Sequence, residues 1–415
     1  MQIVMGLVGV FALLGIAFLL SENRRSISLR TVLGAFAIQA ALGIFVLYIP
    51  AGKDMLLALS KGVQAVMSSA NVGMDFLFGA LVSDELMTKA FGDYHGFVFA
   101  LRVLPVIVFF SSLIAVLYHL RIMTVVINVL GGGLSKLLGT SRPESLSAAA
   151  NIFVGQTEAP LVVRPFIAGM TRSELFAVMT GGLASVAGSV LVGYASLGID
   201  LKYLLAASFM AAPGGLLMAK MLIPETETKT QNVEEALARD TDRPTNVIDA
   251  AASGAASGVQ LAINVGGMLL AFIALIALGN IILGWVSGLF GYDDITLQLL
   301  LGYAFAPVAW VIGVPWHEAI QAGSFIGQKL VLNEFVAFAD LASHQIRLSE
   351  HSEAIIIFAL CGFANLSSVA ILMGGLGLMA PNRRSDIAQM GMKAILAGTL
   401  SNLMSASLAG LFLSL

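Results

Sequence analysis

Charged side chains are scarce in this chain of 415 residues, and cysteine is almost absent. Asp, Glu, Lys and Arg together make up 11% of the residues, against about 25% in an average soluble protein. The formal net charge is -3, so the chain lacks the basic field that nucleic-acid binding requires. The one cysteine, Cys361, excludes an intrachain disulfide, and its apolar surroundings predict a small buried side chain.

Apolar sequence fills the chain instead. Hydrophobic residues make up 58% of it and the mean hydropathy is +0.91, which predicts an integral membrane protein. Eight stretches are long enough to cross about 30 Å of hydrocarbon as helices. They lie near residues 3–20, 31–50, 97–118, 174–198, 203–223, 259–289, 353–380 and 390–414.

The basic residues near the first stretch set the expected orientation. Arg24 and Arg25 follow residues 3–20, whereas a signal peptide would carry its positive charge before the apolar core. The positive-inside rule therefore places this loop in the cytoplasm. We expect a multi-pass protein with both termini outside the cytoplasm.

Two further apolar regions are interrupted midway. The first runs from residue 145 to 166 and breaks at 155–160, and the second runs from 301 to 339 and breaks at 313–319. Each is too long for half a span and too broken for one full helix. We therefore expect two re-entrant helical hairpins whose tips end inside the membrane.

Similar strings follow the two hairpins, at residues 183–187 and 366–370, and indicate an internal repeat. Inverted repeats with broken helices are typical of secondary transporters whose site lies at the membrane midplane. The predicted fold class is an all-α integral membrane protein with eight transmembrane helices, two re-entrant hairpins in inverted repeats, and interfacial helices near residues 54–90 and 122–139.

Polar side chains at the first break are candidates for a binding site. An ionisable group at bilayer depth costs roughly 2.5–3.5 kcal/mol, so Glu158 needs surrounding protein or water. Gln156, Thr157 and Glu158 together offer amide, hydroxyl and carboxylate contacts. The alternative is a polar network that only holds the hairpin shut.

Further candidates lie in and after the second hairpin. Glu334, on its returning arm, has apolar neighbours, and a buried carboxylate can accept a pair of sugar hydroxyls in charge-assisted hydrogen bonds. Asn365 and Ser368 are three residues apart and share one helix face. The alternatives are a surface glutamate at a helix end and hydrogen bonds that join two helices.

The broken helices could also form a cation site. Asn151, Ser185 and nearby carbonyls offer the oxygen ligands that a hard cation such as sodium prefers, since a broken helix frees carbonyls from their regular bonds.

Several enzyme motifs are incomplete. The string from His317 to Gln321 has glutamine where a zinc protease needs its second histidine, and residues 131–140 lack the Gly-Lys-Ser/Thr ending of a nucleotide-binding loop. A membrane-embedded hydrolase would also need a Gly-x-Ser-x-Gly string or a complete zinc motif. A passive channel is a third hypothesis, and it would dissipate a solute gradient.

Four separated strings then resemble the concentrative nucleoside transporter family across essentially the whole chain, in its short bacterial form with eight spans. They are Gly155-Gln156-Thr157-Glu158-Ala159-Pro160, Gly313-Val314-Pro315-Trp316, Asn333-Glu334-Phe335-Val336-Ala337 and Cys361-Gly362-Phe363-Ala364-Asn365-Leu366-Ser367-Ser368. The resemblance implies a homotrimeric transporter, not an enzyme, in a bacterial plasma membrane. It would import nucleosides such as uridine with sodium, by an elevator-like motion and without an organic cofactor; proton coupling is the alternative.

The resemblance also implies roles for individual residues. Those near the nucleobase would be Gln156, Thr157, Glu158 and Val190, with Phe363 and Leu261 as walls of the pocket; those on the ribose would be Glu334, Asn365 and Ser368; those on sodium would be the side chains of Asn151 and Ser185 and the carbonyls of Val154 and Val186. Purine against pyrimidine preference stays open, as does the role of His317 and Glu318, which we place outside the substrate site.

The expected units follow the hairpins. They are an N-terminal scaffold part at 1–139 with spans 1–3 and interfacial helices, a first transport repeat at 140–223 with hairpin 1 and spans 4 and 5, an acidic cytoplasmic linker at 224–248, scaffold span 6 with an interfacial segment at 249–300, and a second transport repeat at 301–415 with hairpin 2 and spans 7 and 8.

Overall fold

The computed structural model describes residues 2–83, 86, 87, 89, 98–227, 244–291, 295–343 and 348–415. Most of the predicted acidic linker, at 228–243, lies outside the described residues. The described ranges fold as helices joined by turns, which confirms the all-α class. The main helices are α1 (Gln2–Leu19), α2 (Leu29–Leu47), α3 (Pro50–Phe78), α4 (Leu104–His119), α5 (Ile122–Leu138), α6 (Arg142–Ala150), α7 (Arg172–Ala184), α8 (Gly188–Ser196), α9 (Leu201–Leu222), α10 (Val247–Gly288), α11 (Leu297–Val311), α12 (Trp316–Val331), α13 (Glu334–Ala342), α14 (Glu350–Leu360), α15 (Ser367–Met379) and α16 (Arg384–Leu413).

Short helical turns complete the described chain, at Arg24–Ser26, Gly79–Val82, Phe99–Arg102, Ala159–Val163, Arg164–Ile167 and Pro381–Arg383. In the described part of the chain, seven helical segments are long and apolar enough to cross a membrane, or eight when the bent pair α11 and α12 counts as one. One of the seven is Pro50–Val82, which we expected at the membrane interface. The predicted spans 174–198 and 353–380 are each two helices with a break between them.

The first hairpin follows the sequence prediction closely. Glu144, in the first turn of α6, caps the start of this helix, because its carboxylate accepts the backbone amide of Ser141. The helix ends at Ala150, and the chain returns through the turn Ala159–Val163. The predicted tip therefore lies in non-helical backbone between two helical arms.

The second hairpin corrects the prediction. The expected break is present but short: α11 and α12 meet at 115°, where Gly313 adopts a φ of +110° that favours glycine, and the helix resumes at Trp316. A second break, which we did not expect, lies at Leu332 and Asn333. The Asn333 side chain accepts a hydrogen bond from the Val336 amide at 2.9 Å and so caps a new helix.

The two halves of the chain repeat one order of elements: a hairpin, a helix broken in two, and a long helix. In each half, the backbone amide that follows the break donates to the end of the first hairpin arm. Gly188 donates to the Phe153 carbonyl at 2.9 Å, and Leu366 donates to the Leu330 carbonyl at 3.2 Å. A Cβ on Gly188 would lie 2.8 Å from the Phe153 oxygen, so glycine permits this approach.

The two similar strings used to detect the repeat do not occupy equivalent places. Residues 183–187 end α7 and enter its break, whereas residues 366–370 follow the break and begin α15. The two strings therefore do not align in the structure, although the order of elements repeats.

The long helix α16 lies at the centre of the molecule and packs against α7, α14, α1 and α9. Helix α2 packs along α9, so α1 and α2 belong to the same packed body as the two repeats. Helices α4 and α10 pack along each other as a pair. This pair contacts the repeats through α8 and α13, which carry the residues nearest the breaks.

Candidate functional site

The breaks of the two repeats meet at one backbone hydrogen bond. The Phe363 amide, between α14 and α15, donates to the carbonyl of Ser185, between α7 and α8, at 3.2 Å. Breaks of this kind leave helix ends with free amides and carbonyls and with partial charges of opposite sign. Four half-helices thus converge where the sequence placed its polar candidates.

Polar side chains from both repeats form one connected series at this point. Gln156 Nε2 donates to Ser368 Oγ at 3.4 Å, and the Ser368 amide donates to Asn365 Oδ1 at 3.0 Å. Asn365 Nδ2 in turn donates to Glu334 Oε2 at 2.8 Å. These four residues are each at most 5% exposed, so the structure brings together four of the predicted site residues from distant parts of the sequence.

Glu334 is fixed on both carboxylate oxygens. Tyr194, on α8 of the first repeat, donates its hydroxyl to Oε1 at 3.2 Å, opposite the amide of Asn365. The Tyr194 ring packs against Phe335 and Phe338, with centroids 4.6 and 4.3 Å away. The carboxylate is therefore buried, and the alternative of a surface glutamate is wrong.

Thr157 and Glu158 lie half-buried at the tip of the first hairpin. Glu158 Oε2 accepts the Gly155 amide at 3.3 Å, so this carboxylate also closes the turn in which it lies. The Thr157 methyl faces α15, where a Cβ on Gly375 would lie 3.1 Å from it. The Glu158 carboxylate thus also stabilises the hairpin turn itself.

The apolar residues predicted to line the pocket fall in different environments. Val190 is 2% exposed on α8. Phe363 is half-buried, and its ring edge would lie 3.8 Å from a Cβ on Gly155. Leu261 lies on α10, outside the two repeats, where it is half-buried against the apolar core.

The predicted cation ligands lie just after α6 and in the break between α7 and α8. Asn151 is 1% exposed, and both polar atoms of its side chain are buried without a hydrogen-bond partner among the described residues. Ser185 Oγ donates to the Gly181 carbonyl at 2.9 Å, and within the described part of the chain its lone pairs can still accept or ligate. Helices α6 and α7 end at Ala150 and Ala184, so the carbonyls of Val154 and Val186 lie in non-helical backbone.

Three residues that the sequence analysis did not single out complete the surroundings: Tyr194, Lys329 and Asn402. Lys329 Nζ donates to the Asn402 side chain at 2.7 Å, with both residues 2% exposed. Lys329 could have been found from its place in an apolar run, since an ionisable residue there marks a functional site by default. Tyr194 carries no such local feature.

His317 and Glu318 lie apart from the polar series. Glu318 accepts the backbone amide and the hydroxyl of Ser349 at 3.1 and 2.9 Å, which caps the start of α14. The His317 side chain is 79% exposed.

An open cavity also lies elsewhere. It measures about 730 Å³ and is lined by α3, α4 and the end of α8, with Gln64, Asn71, Asp75 and Arg102 among its polar residues. None of the predicted site residues lines this cavity. The polar series therefore lies apart from this cavity.

Comparisons with known proteins agree on one family. Residues 8–81 match the model "Na+ dependent nucleoside transporter N-terminus", residues 203–410 match "Na+ dependent nucleoside transporter C-terminus", and residues 100–200 match "Nucleoside recognition". The chain is 58% identical to "Uncharacterized transporter YutK" of Bacillus subtilis, with 100% of each chain covered. It is 50% identical to "Nucleoside permease NupC" of Helicobacter pylori, over 98% of this chain and 97% of that protein.

Solved structures are similar over the whole length. CNTnw in an inward-facing substrate-bound state is 61% identical, covers 100% of this chain with 99% of its own, and gives a TM-score of 0.96. Variants of CNTnw in an outward-facing state and in an intermediate state each give a TM-score of 0.97. With sequence, architecture and family models in agreement, the chain belongs to the concentrative, Na+ dependent nucleoside transporter family.

Proposed function

We propose that this protein is a secondary active symporter that imports nucleosides such as uridine with sodium. The observation that carries the proposal is the hydrogen bond from the Phe363 amide to the Ser185 carbonyl. It joins the break that presents Asn365 and Ser368 to the break that presents the predicted sodium ligands. An ion bound at the break between α7 and α8 can therefore order the groups that bind the nucleoside.

The polar series suits a nucleoside because its two ends offer different chemistry. Glu334, Asn365 and Ser368 combine a carboxylate acceptor with amide and hydroxyl groups, which fits the vicinal hydroxyls of a ribose. Gln156 lies at the other end, and its Oε1 is buried without a partner in the described part of the chain. We assign Gln156, with Thr157 and Glu158, to the nucleobase.

Sodium fits the cluster around Asn151. Its ligands would be oxygen atoms of Asn151, Ser185, Val154 and Val186, and a hard cation prefers oxygen donors. Asn151 Oδ1 has no other partner among the described residues. A buried acceptor without a partner is costly, and a bound cation would satisfy it.

The sodium gradient is sufficient to drive accumulation. One sodium ion that enters across about 100 mV contributes roughly 2.3 kcal/mol, and a tenfold concentration gradient adds about 1.4 kcal/mol. Together these terms sustain several hundredfold accumulation of a neutral solute.

The packing favours a particular division between fixed and moving parts. Helices α1 and α2 pack on α16 and α9, so we assign them to the moving body with the two repeats. This differs from the division expected from sequence, which placed residues 1–139 in the scaffold. The pair α4 and α10 is then the scaffold, against which α8 and α13 would slide in an elevator-type motion.

We further propose a homotrimer in a bacterial plasma membrane, with both chain termini outside the cytoplasm. Large apolar side chains are exposed along α10, including Ile263, Leu270, Ile281 and Trp285, and they suit contact with lipid or another subunit. Native mass spectrometry of the detergent-purified protein would show the trimer, and a monomer that transports would contradict it.

The test of function uses purified protein in liposomes. Labelled uridine should accumulate above its external concentration when sodium is higher outside, and should not accumulate in choline. An inward proton gradient in choline tests the proton-coupled alternative. Uptake that is equal with and without sodium, and indifferent to pH, would falsify the symporter.

A further inference from the structure

Lys329 is a buried charge that the proposed transport cycle does not use. It lies in the last turn of α12, directly before the Leu330 carbonyl that joins the hairpin to the second break. The residue is 2% exposed. Its ammonium donates to the Ala359 carbonyl at 2.8 Å and to Asn402 Oδ1 at 2.7 Å. A buried ammonium is retained only where such oxygen partners offset its lost hydration.

Asn402 extends this contact to both repeats. Its Nδ2 donates to the Ala184 carbonyl at 2.6 Å and to the Cys361 carbonyl at 3.0 Å. Ala184 ends α7 and Cys361 caps the end of α14. Since the carboxyl end of a helix carries partial negative charge, the Lys329 ammonium lies where two negative helix ends meet.

The position of Lys329 mirrors that of the predicted sodium ligands. In the first repeat, Asn151 and Val154 flank Phe153, whose carbonyl accepts the amide of Gly188. In the second repeat, Lys329 precedes Leu330, whose carbonyl accepts the amide of Leu366. With sodium at the predicted site, the first repeat would hold a free cation near the place where the second repeat holds the Lys329 ammonium.

We propose that the Lys329 ammonium is a tethered cation that performs in the second repeat the role of the transported sodium in the first. It neutralises the carbonyl end of α14 and holds the hairpin that carries Glu334 against the break. The inference rests on the proposed sodium coupling, and it implies one mobile cation per nucleoside.

Chemical rescue tests the tethered cation without a gradient. Lys329→Ala leaves space for a small cation, and uridine binding to this variant in detergent is measured at constant sodium with added ammonium, methylammonium or choline chloride at equal ionic strength. We expect binding to weaken roughly thirtyfold or more and to recover with ammonium or methylammonium but not with choline. Lys329→Gln, which fills the space with a neutral group, should bind weakly and show no recovery.

The matched control is Lys393→Ala on α16, because Lys393 is 29% exposed and pairs with Glu22 at 2.9 Å away from the breaks. It should bind uridine with wild-type affinity, and added ammonium should not change that affinity. Folding of each variant is followed by its thermal unfolding temperature. A folded Lys329→Ala protein that binds uridine like the wild type, or that stays weak in ammonium, would overturn the proposal.

The wild-type protein gives a second test that needs no variant. Parallel uptake of labelled sodium and labelled uridine should give one sodium per uridine, whereas two would refute the tethered cation. If uptake proves independent of sodium, the proposed symport fails, and the ammonium rescue still decides the role of Lys329. If Lys329→Ala does not fold, the ratio of the two fluxes decides it.

Discussion

Tyr194 donates its hydroxyl to Glu334 across 140 positions of sequence, and this bond places a residue of the first repeat on the carboxylate of the second. The carboxylate is thus held from both sides of the site, by Tyr194 on Oε1 and by Asn365 on Oε2. A nucleoside that engages Glu334 therefore contacts a group whose position depends on both repeats.

Replacement of Glu334 by Gln should nearly abolish uridine uptake. The amide keeps the shape but loses the charge, and each charge-assisted hydrogen bond contributes about 1.5–3 kcal/mol. Two such bonds to a ribose correspond to at least a hundredfold loss of affinity. Uptake into liposomes measures the loss, and thermal unfolding verifies that the variant is folded.

Tyr194→Phe is the control for that substitution, since it removes one donor to Glu334 and retains the ring packed on Phe335 and Phe338. We expect uptake reduced by about tenfold at most, because a neutral donor contributes about 0.5–1.5 kcal/mol. Normal uptake by a folded Glu334→Gln protein would show that the carboxylate does not bind the solute.

Replacement of Asn151 by Ala should raise the sodium concentration for half-maximal uptake by about tenfold, since a lost ligand weakens ion binding by about 1.4 kcal/mol or more. Uptake at saturating sodium should change little. Ser147→Ala is the matched control, because Ser147 lies on α6 one turn before Asn151 and is also buried, with an unpaired hydroxyl among the described residues. Equal sodium dependence in both variants would place the ion elsewhere.

Replacement of Gln156 by Leu should change the order in which nucleosides compete with uridine. A neutral hydrogen bond to the base contributes about 0.5–1.5 kcal/mol, so individual nucleosides should shift by about two- to tenfold. Asn365→Ala should instead weaken all ribonucleosides alike, because it acts on the ribose. A uniform loss in Gln156→Leu would contradict its assignment to the base.

Replacement of Lys220 by Met should destabilise the protein by about 3–5 kcal/mol, because it leaves Glu144 as an unpaired buried charge. Lys220 Nζ lies 2.6 Å from Glu144 Oε2, with side-chain exposures of 6% and 1%. The double variant with Glu144→Gln should recover much of the loss. Thermal unfolding in detergent of the wild type, the two single variants and the double variant measures this double-mutant cycle.

The exposed pair of Lys202 and Asp200, 2.8 Å apart, serves as the control for this cycle. Lys202→Met should change stability by less than about 1 kcal/mol, as is typical of surface pairs. Losses that simply add in the Glu144 and Lys220 double variant would mean that the buried pair is not coupled.

The first hairpin could be placed from sequence because its tip is marked locally. Gly155 and Pro160 interrupt an apolar run, and the polar residues stand between them. The second tip was misplaced for the same reason: Gly313 and Pro315 are strong turn residues and drew the prediction to 313–319. Asn333 marks the real tip only as a helix cap, which is a weaker local feature.

The broken spans and their contacts could not be predicted, since they depend on residues far apart in sequence. The break after α7 contains no proline, and tertiary bonds satisfy its backbone, such as that from Gly188 to Phe153. Lys329 meets Asn402 across 73 positions. Hydrophobic periodicity reports which face of a helix is buried, but it does not identify the partner of a single polar group.

The 42 residues of α10 give this helix a length of about 63 Å, roughly twice the thickness of the hydrocarbon layer. About 20 residues suffice to cross that layer, so α10 must either incline strongly or carry its polar first turn, with Asp249, beyond the hydrocarbon. Since α4 packs along α10, any change in the inclination of α10 would carry α4 with it, and the proposed scaffold would respond to hydrophobic mismatch as one body.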